Sequence, residues 1–222
     1  MPETIALIGG TGRLGPGLAL RLSRAGRAVV IGSRDAGRAG ERAAEIGARV
    51  AAAGGGGSVR GAANDEAAAA SDLAILTIPY EAQTELLAGL AAPLRGKVVV
   101  STTVPVRFHP ELGPVAVAVP EGSAAEQAAA LLAGSRIVAA FHTVSSAHLS
   151  RLDRDLDEDV LVCGDDQAAT REVGELAGLI PGVRVVNAGR LGNAHALEQL
   201  TVLLLSINRL SHRTAGVHLT GL

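Results

Sequence analysis

Three groups of residues have types and spacings from which chemistry can be read. The first is Gly10-Thr11-Gly12-Arg13-Leu14-Gly15, a G-x-G-x-x-G that follows the apolar run Ile5–Ile8. At that spacing Gly10 permits a tight turn, Gly12 lets backbone approach a pyrophosphate and Gly15 allows a close helix–strand contact, with helix N–H groups facing the anion. Thr11 adds a hydroxyl donor, and Arg13 and Leu14 belong to the same cofactor-binding turn. The position after a strand favours a dinucleotide over a glycine-rich turn without ligand. The second group is Gly32-Ser33-Arg34 at the end of the run Ala28–Ile31, with Arg38 one helical turn further on. An NAD site places a carboxylate there for the ribose 2′-hydroxyl. A serine hydroxyl and two guanidinium groups suit a 2′-phosphate instead, so NADP is the expected cofactor. Asp35 is either an inward ribose ligand or, the favoured reading, the N-cap of the next helix. The third group is the histidines. His142 ends an apolar run, where a structural role is the commoner one and proton donation is the chemical alternative. His109, His148, His195, His212 and His218 show neither H-x-x-x-H spacing nor a paired cysteine, so no metal site is expected. Asp165 and Asp166, after Gly164, read as caps of the helix that follows.

These residues require a scaffold, and the pattern supplies one. Short β-branched runs alternate with alanine- and leucine-rich stretches of helical length, predicting an α/β fold: a doubly wound Rossmann-type parallel sheet with a small C-terminal α/β extension. Strands are expected at Thr4–Ile8, Ala28–Ile31, Ser58–Arg60, Leu73–Thr77, Lys97–Ser101, Arg136–Ala140, Val160–Cys163 and Val183–Val186. Helices are expected over Leu14–Ala25, Asp35–Ala53, Asp65–Ala70, Glu81–Ala91, Ala124–Leu132, Gln167–Leu179 and Ala194–Leu210, with a glycine loop at Gly54–Gly57. Thr102–Glu121 holds Pro105, Pro110, Pro114 and Pro120 and reads as a loop. Residues 1–140 are expected to form the dinucleotide domain and 141–222 a smaller C-terminal portion.

The bulk properties exclude several classes. With 222 residues and a net charge of −2, the chain has room for about one and a half domains and lacks the basic excess that nucleic acid demands. One cysteine, Cys163, forms no internal disulfide and suits a reducing compartment. No basic leader precedes the first strand and no uncharged apolar run approaches a membrane span, so a cytoplasmic address is expected. The mean hydropathy of +0.31 then reflects alanine and buried strands.

With IGGTGRLGPGLALRL at the start, GSR at 32–34, LTIPYEA at 76–82, VPV at 104–106, AFHTVSSAHL at 140–149, VCGDD at 162–166 and the LTGL terminus, the chain resembles the F420-dependent NADP reductases from end to end. The resemblance implies hydride transfer between NADPH and the deazaflavin coenzyme F420. It places Thr77, Ile78, Pro79 and Tyr80 beside the adenosine and ribose, with Thr84 nearby, although Tyr80 reads equally well as core. It implies that Val104, Pro105 and Val106 hold the rings. It also implies that His142 and Thr143 line the deazaflavin side, with Ser146 close to the NADP. Arg107, Arg136 or Arg190 would attract the anionic deazaflavin tail, or are ordinary solvated arginines. Direct transfer between two stacked rings needs positioning and exclusion of water more than a catalytic triad.

Two readings compete. Short Rossmann reductases of imines or hydroxy acids share the N-terminal half but use a large helical C-terminal domain; the hydroxy-acid enzymes also rely on a lysine, and Lys97, the one lysine, opens a predicted strand away from the cleft. A non-catalytic NADP sensor would keep the phosphate turn alone. Leu200, Leu203, Leu204 and Ile207 at helical spacing predict a buried face on the last helix, against its own sheet or a second subunit, and the resemblance favours a homodimer.

Overall fold

The computed structural model describes residues 3–222. The N-terminal part runs β1 (Thr4–Ile8), α1 (Leu14–Arg24), β2 (Ala28–Ser33), α2 (Ala36–Ala52), β3 (Ser58–Ala63), α3 (Asn64–Ala69), β4 (Leu73–Leu76), α4 (Gln83–Leu90) and β5 (Val98–Ser101). Then come β6 (Val106–His109), β7 (Gly113–Ala116), α5 (Ala124–Leu131), β8 (Arg136–Ala139), α6 (Ser146–Leu149), β9 (Glu158–Gly164), α7 (Gln167–Gly178), β10 (Val183–Asn187) and α8 (Ala194–Ser211). Eight strands form one sheet in the order β10-β9-β8-β5-β4-β1-β2-β3.

The sheet is buried on both faces, which is why its strands read as continuous apolar runs. Alternation along β1 makes the division visible: Ile5 and Leu7 join the core under α1, α2 and α7, whereas Ala6 and Ile8 join the core under α3, α4, α5 and α8. Six strands of this sheet, β8, β5, β4, β1, β2 and β3, are mutually parallel and deliver their carboxyl ends to one edge.

Two features depart from the expectations, and a third bears on one that was left open. β9 pairs antiparallel with β8, and β10 follows β9 in parallel, so the last two strands run against the other six. The cause is the link: residues 140–157 contain only the four-residue α6 and never cross back over the sheet, so the chain must return in the opposite direction. The proline-rich stretch is not a bare loop but holds the antiparallel pair β6–β7. A two-stranded ribbon has unpaired outer N–H positions, so Pro114 inside β7 costs no ladder bond. On α8, Leu204 is buried, but Leu203 is 55% and Ile207 41% exposed, so the predicted apolar face is not covered within the chain. Among the described residues no helix is long and apolar enough to cross a membrane.

Candidate active site

Main-chain bonds shape the phosphate turn. Gly9 takes φ +70°, and the Gly10 N–H donates to the carbonyls of Leu7 (3.0 Å) and Gly32 (2.9 Å), curling the chain off β1. A Cβ at Gly15 would lie 2.3 Å from the Gly10 carbonyl oxygen, so this glycine lets α1 close against the turn itself. A Cβ at Gly12 would meet nothing nearer than the Gly9 oxygen at 3.5 Å, and the space above it is open. α1 begins with no side-chain cap and no acidic residue in its first turn. Its first N–H groups therefore lack intrachain acceptors and face that space, as anion binding requires.

A groove of about 720 Å³ opens over this turn. It brings together Thr11 and Gly12, the β2 end with Ser33, Arg34 and Arg38, and the β4 end with Thr77, Ile78 and Pro79. Arg34 and Arg38 are exposed, and among the described residues neither pairs with a carboxylate. Asp35 accepts the Arg38 N–H at 3.1 Å and is therefore the cap of α2. The Ser33 hydroxyl accepts from the Asp35 N–H at 3.2 Å and keeps its own proton to donate. The cluster at the groove's end thus presents a hydroxyl and two unpaired cations, and it fits a 2′-phosphate.

Other expected residues lie apart from the groove lining. Gly10 is buried beneath the turn, and Arg13 and Leu14 open α1 beside it. Tyr80 is half-buried, its hydroxyl accepting from Gln127 Nε2 at 3.4 Å. Thr84 is exposed on α4, whose Glu85, Leu86 and Gly89 face the groove instead, with Ala82 just ahead of the helix. Sequence reasoning missed Asn64, which is buried at the head of α3 and whose Oδ1 accepts the Gly9 N–H at 3.0 Å. Its signal was a polar residue directly after a strand and before an alanine-rich helix.

At the same sheet edge the ends of β4, β5 and β8 converge. Thr102 Oγ1 donates to the Leu76 carbonyl (2.7 Å) and Thr103 Oγ1 to that of Ile78 (3.4 Å), tying β5 to β4. Val104 is half-buried, Pro105 is buried with its carbonyl accepting from Val117 N–H (2.9 Å), and Val106 opens β6. After β8 the buried Phe141 takes φ +63°, an uncommon and strained conformation for a bulky residue. That turn carries His142 inward to 6% exposure, and neither ring nitrogen has a hydrogen-bond partner. Burial pushes the imidazole down to about 4, opposed in part by the Thr103 backbone. His142 is therefore a neutral ring at pH 7, with one N–H and one lone pair to offer and no imidazolium proton.

The His142 carbonyl accepts from Thr201 Oγ1 on α8 at 2.9 Å, and Thr143 Oγ1 donates to the Asp159 carbonyl at 3.4 Å. Ser146 opens α6 and is half-buried. Thr201 and Glu198 were also missed by sequence reasoning. Glu198 is buried on α8, and its carboxylate accepts the Ala124 (3.1 Å) and Ala125 (3.2 Å) N–H groups at the start of α5. Burial nonetheless raises it to about 7. One acid on an apolar helical face was the available signal.

Of the three arginines considered for an anionic tail, Arg107 lies on β6 beyond this edge. Arg136 opens β8 at the opposite edge, and Arg190 stands 3.4 Å from Asp165 after β9. Lys97 Nζ donates to the carbonyls of Ala68 and Ala69, away from the groove. Asp166 caps α7 by accepting the Ala169 N–H at 2.8 Å. Among the described residues no three His, Cys, Asp or Glu side chains gather as metal ligands.

Comparison with known proteins agrees with this geometry. The family model described as NADP oxidoreductase, coenzyme F420-dependent, matches residues 4–105. The F420-dependent NADP reductase of Methanothermobacter thermautotrophicus is 42% identical over 100% of this chain and 97% of its own. That of Methanocaldococcus jannaschii is 37% identical over 98% of each. A solved structure from an Arthrobacter species, described as an F420-dependent NADP-reductase, superposes with a TM-score of 0.78 over 96% of each chain at 24% identity, and shows a common fold.

Proposed function

The chain belongs to the F420-dependent NADP reductases, and from that premise we propose that it transfers hydride between NADPH and the deazaflavin coenzyme F420. The observation that carries the nucleotide half is the groove corner where Ser33 stands beside Arg34 and Arg38, neither of them in an ion pair, while Asp35 is held as a helix cap. When bound, the nicotinamide would supply the hydride and the deazaflavin ring would accept it together with one proton from water. The protein's own part is to hold and desolvate. Gly10, Thr11, Gly12 and the start of α1 hold the pyrophosphate, and Thr77, Ile78 and Pro79 flank the ribose. Val104, Pro105 and Val106 wall the ring end. His142 and Thr143 line the acceptor side with Ser146 next to the nucleotide, and the unpartnered neutral imidazole offers a hydrogen bond there without a titrating proton.

In this reading residues 1–140 bind NADP, while 141–222 complete the deazaflavin side and supply the contact with a second copy. Leu203, Ile207 and Leu210 form the exposed stripe that supports a homodimer, and light scattering of the purified protein tests it. The single buried cysteine supports a cytoplasmic address.

The activity is tested by mixing protein, NADPH and oxidised F420 and following the deazaflavin absorbance, with NADH and an ordinary flavin as controls. Loss of the deazaflavin band with NADPH and with neither control is the expected result. Tight NADPH binding without turnover would replace this reading with an NADP sensor or an imine reductase.

A further inference from the structure

Arg21 sits two turns along α1 and is 1% exposed. No carboxylate bonds to it. Its guanidinium donates to four main-chain carbonyls of one segment: His148 (3.2 Å), Leu149 (3.1 Å), Arg154 (2.9 Å) and Arg151. That segment begins in the four-residue α6 and continues without regular structure; the His148 carbonyl also accepts the Arg151 N–H at 3.1 Å, whereas those of Leu149, Arg151 and Arg154 have no main-chain donor among the described residues and need an outside one. Nε and Nη2 make all four bonds while Nη1 is buried without a partner, so the planar guanidinium serves the carbonyls from two rigidly spaced nitrogens, which a single ammonium nitrogen cannot reproduce. Burial and the neighbouring Arg24 charge lower its basicity, opposed by Asp155 and Asp153.

One turn earlier, Gly17 allows the same segment to press against the helix. A Cβ there would lie 2.7 Å from Leu149 Cβ and 3.4 Å from the Ser146 carbonyl oxygen. Arg24 Nη1 adds a bond to the Leu152 carbonyl (3.2 Å), and Arg49 Nη2, from α2, one to that of Ser150 (2.7 Å). From the other side Glu158 accepts the Ser145 N–H at 3.0 Å. The segment is continuous with the Phe141–Thr143 turn. The acceptor-side residues and the pyrophosphate therefore share one rigid reference, helix α1.

We propose that Arg21 is a positioning residue for hydride transfer: it fixes the 141–154 segment, and with it the deazaflavin side of the cleft, to the helix that holds the dinucleotide. This role rests on the acceptor reading above. All four carbonyls that Arg21 binds belong to residues 148–154, so its bonds place that segment and leave the core of the sheet to apolar contacts.

The test uses Arg21→Met, which keeps length and burial but removes every donor, and Gly17→Ala, which disturbs the same contact without touching charge. KM for F420, Kd for NADPH and amide exchange over residues 143–154 are measured on each. The expected result is a rise of about tenfold or more in KM for F420, an NADPH Kd within about twofold of wild type, and faster exchange confined to 143–154. An unchanged KM despite faster exchange would overturn the role and leave the acceptor reading intact. NADPH Kd rising in parallel would show that Arg21 supports the phosphate helix instead, and would also overturn it. If Arg21→Met does not fold, Arg21→Lys, which restores part of the donor set, and Gly17→Ala decide by the same pattern. Wild-type protein that turns over no F420 would overturn the acceptor reading itself, and the positioning role with it.

Discussion

His142 and Glu198 titrate in opposite senses, and their effects on stability can be separated. His142 is depressed from 6.5 to about 4 in the folded protein. Below its ordinary value the unfolded chain takes up a proton that the folded chain refuses, so the folded state loses ground as pH falls from 7 toward 4. Glu198 is raised from 4.5 to about 7. Below 7 the folded chain takes up a proton that the unfolded carboxylate does not yet bind, so folding gains as pH falls toward 4.5 and that gain is lost as pH rises through 7. At about 1.4 kcal/mol per pH unit, each effect comes to about 2 kcal/mol between pH 7 and pH 5, and they nearly cancel. Wild-type stability over that window is therefore expected to be flat with respect to these two groups. Glu198→Gln leaves His142 unopposed and should lose about 2 kcal/mol on going from pH 7 to pH 5, whereas His142→Leu should gain about as much relative to wild type. Urea unfolding followed by circular dichroism at the two pH values reads both, and comparison with wild type removes the contribution of other groups. Parallel pH responses in wild type and both variants would refute the assignment of a neutral buried imidazole and, separately, a half-protonated buried carboxyl.

Two further outcomes follow from the nucleotide groove. Arg34→Ala removes an exposed guanidinium whose charge-assisted hydrogen bonds to a 2′-phosphate contribute about 1.5–3 kcal/mol. NADPH binding should therefore weaken by about ten- to a hundredfold while NADH binding stays put; calorimetric titration with both nucleotides checks this, and equal losses would place Arg34 elsewhere. Asp35→Ala should cost about 1 kcal/mol of folding stability through loss of the α2 cap, with no change in the preference for NADPH. A variant whose NADH affinity falls instead would show the carboxylate facing the ribose.

The parts of this molecule that were legible in the sequence are those determined within a few residues. The phosphate turn is one, because Gly10 and Gly15 meet steric demands set by neighbours within a few residues. The Asp35 cap is another, since it answers an N–H three residues away. Where reading failed, the deciding partner was distant or the rule was applied outside its domain. The direction of β9 depends on the chain between 140 and 157 staying at one sheet edge, which no periodicity records. Pro114 argues against a central strand and says nothing against a ribbon. Arg21 in LALRL looks like the polar side of an amphipathic helix, yet its carbonyl partners lie 127 to 133 residues on. His142 shows the same limit in its chemistry. A histidine at a strand end has a near-neutral pKa only while water reaches it. Here the strained Phe141 turn and the β5 end at Thr103 remove that water, and α8 holds the turn through Thr201, on elements 39 and 59 residues away in the chain from His142. The state of its proton is thus a property of the assembled edge, which residue type alone does not record.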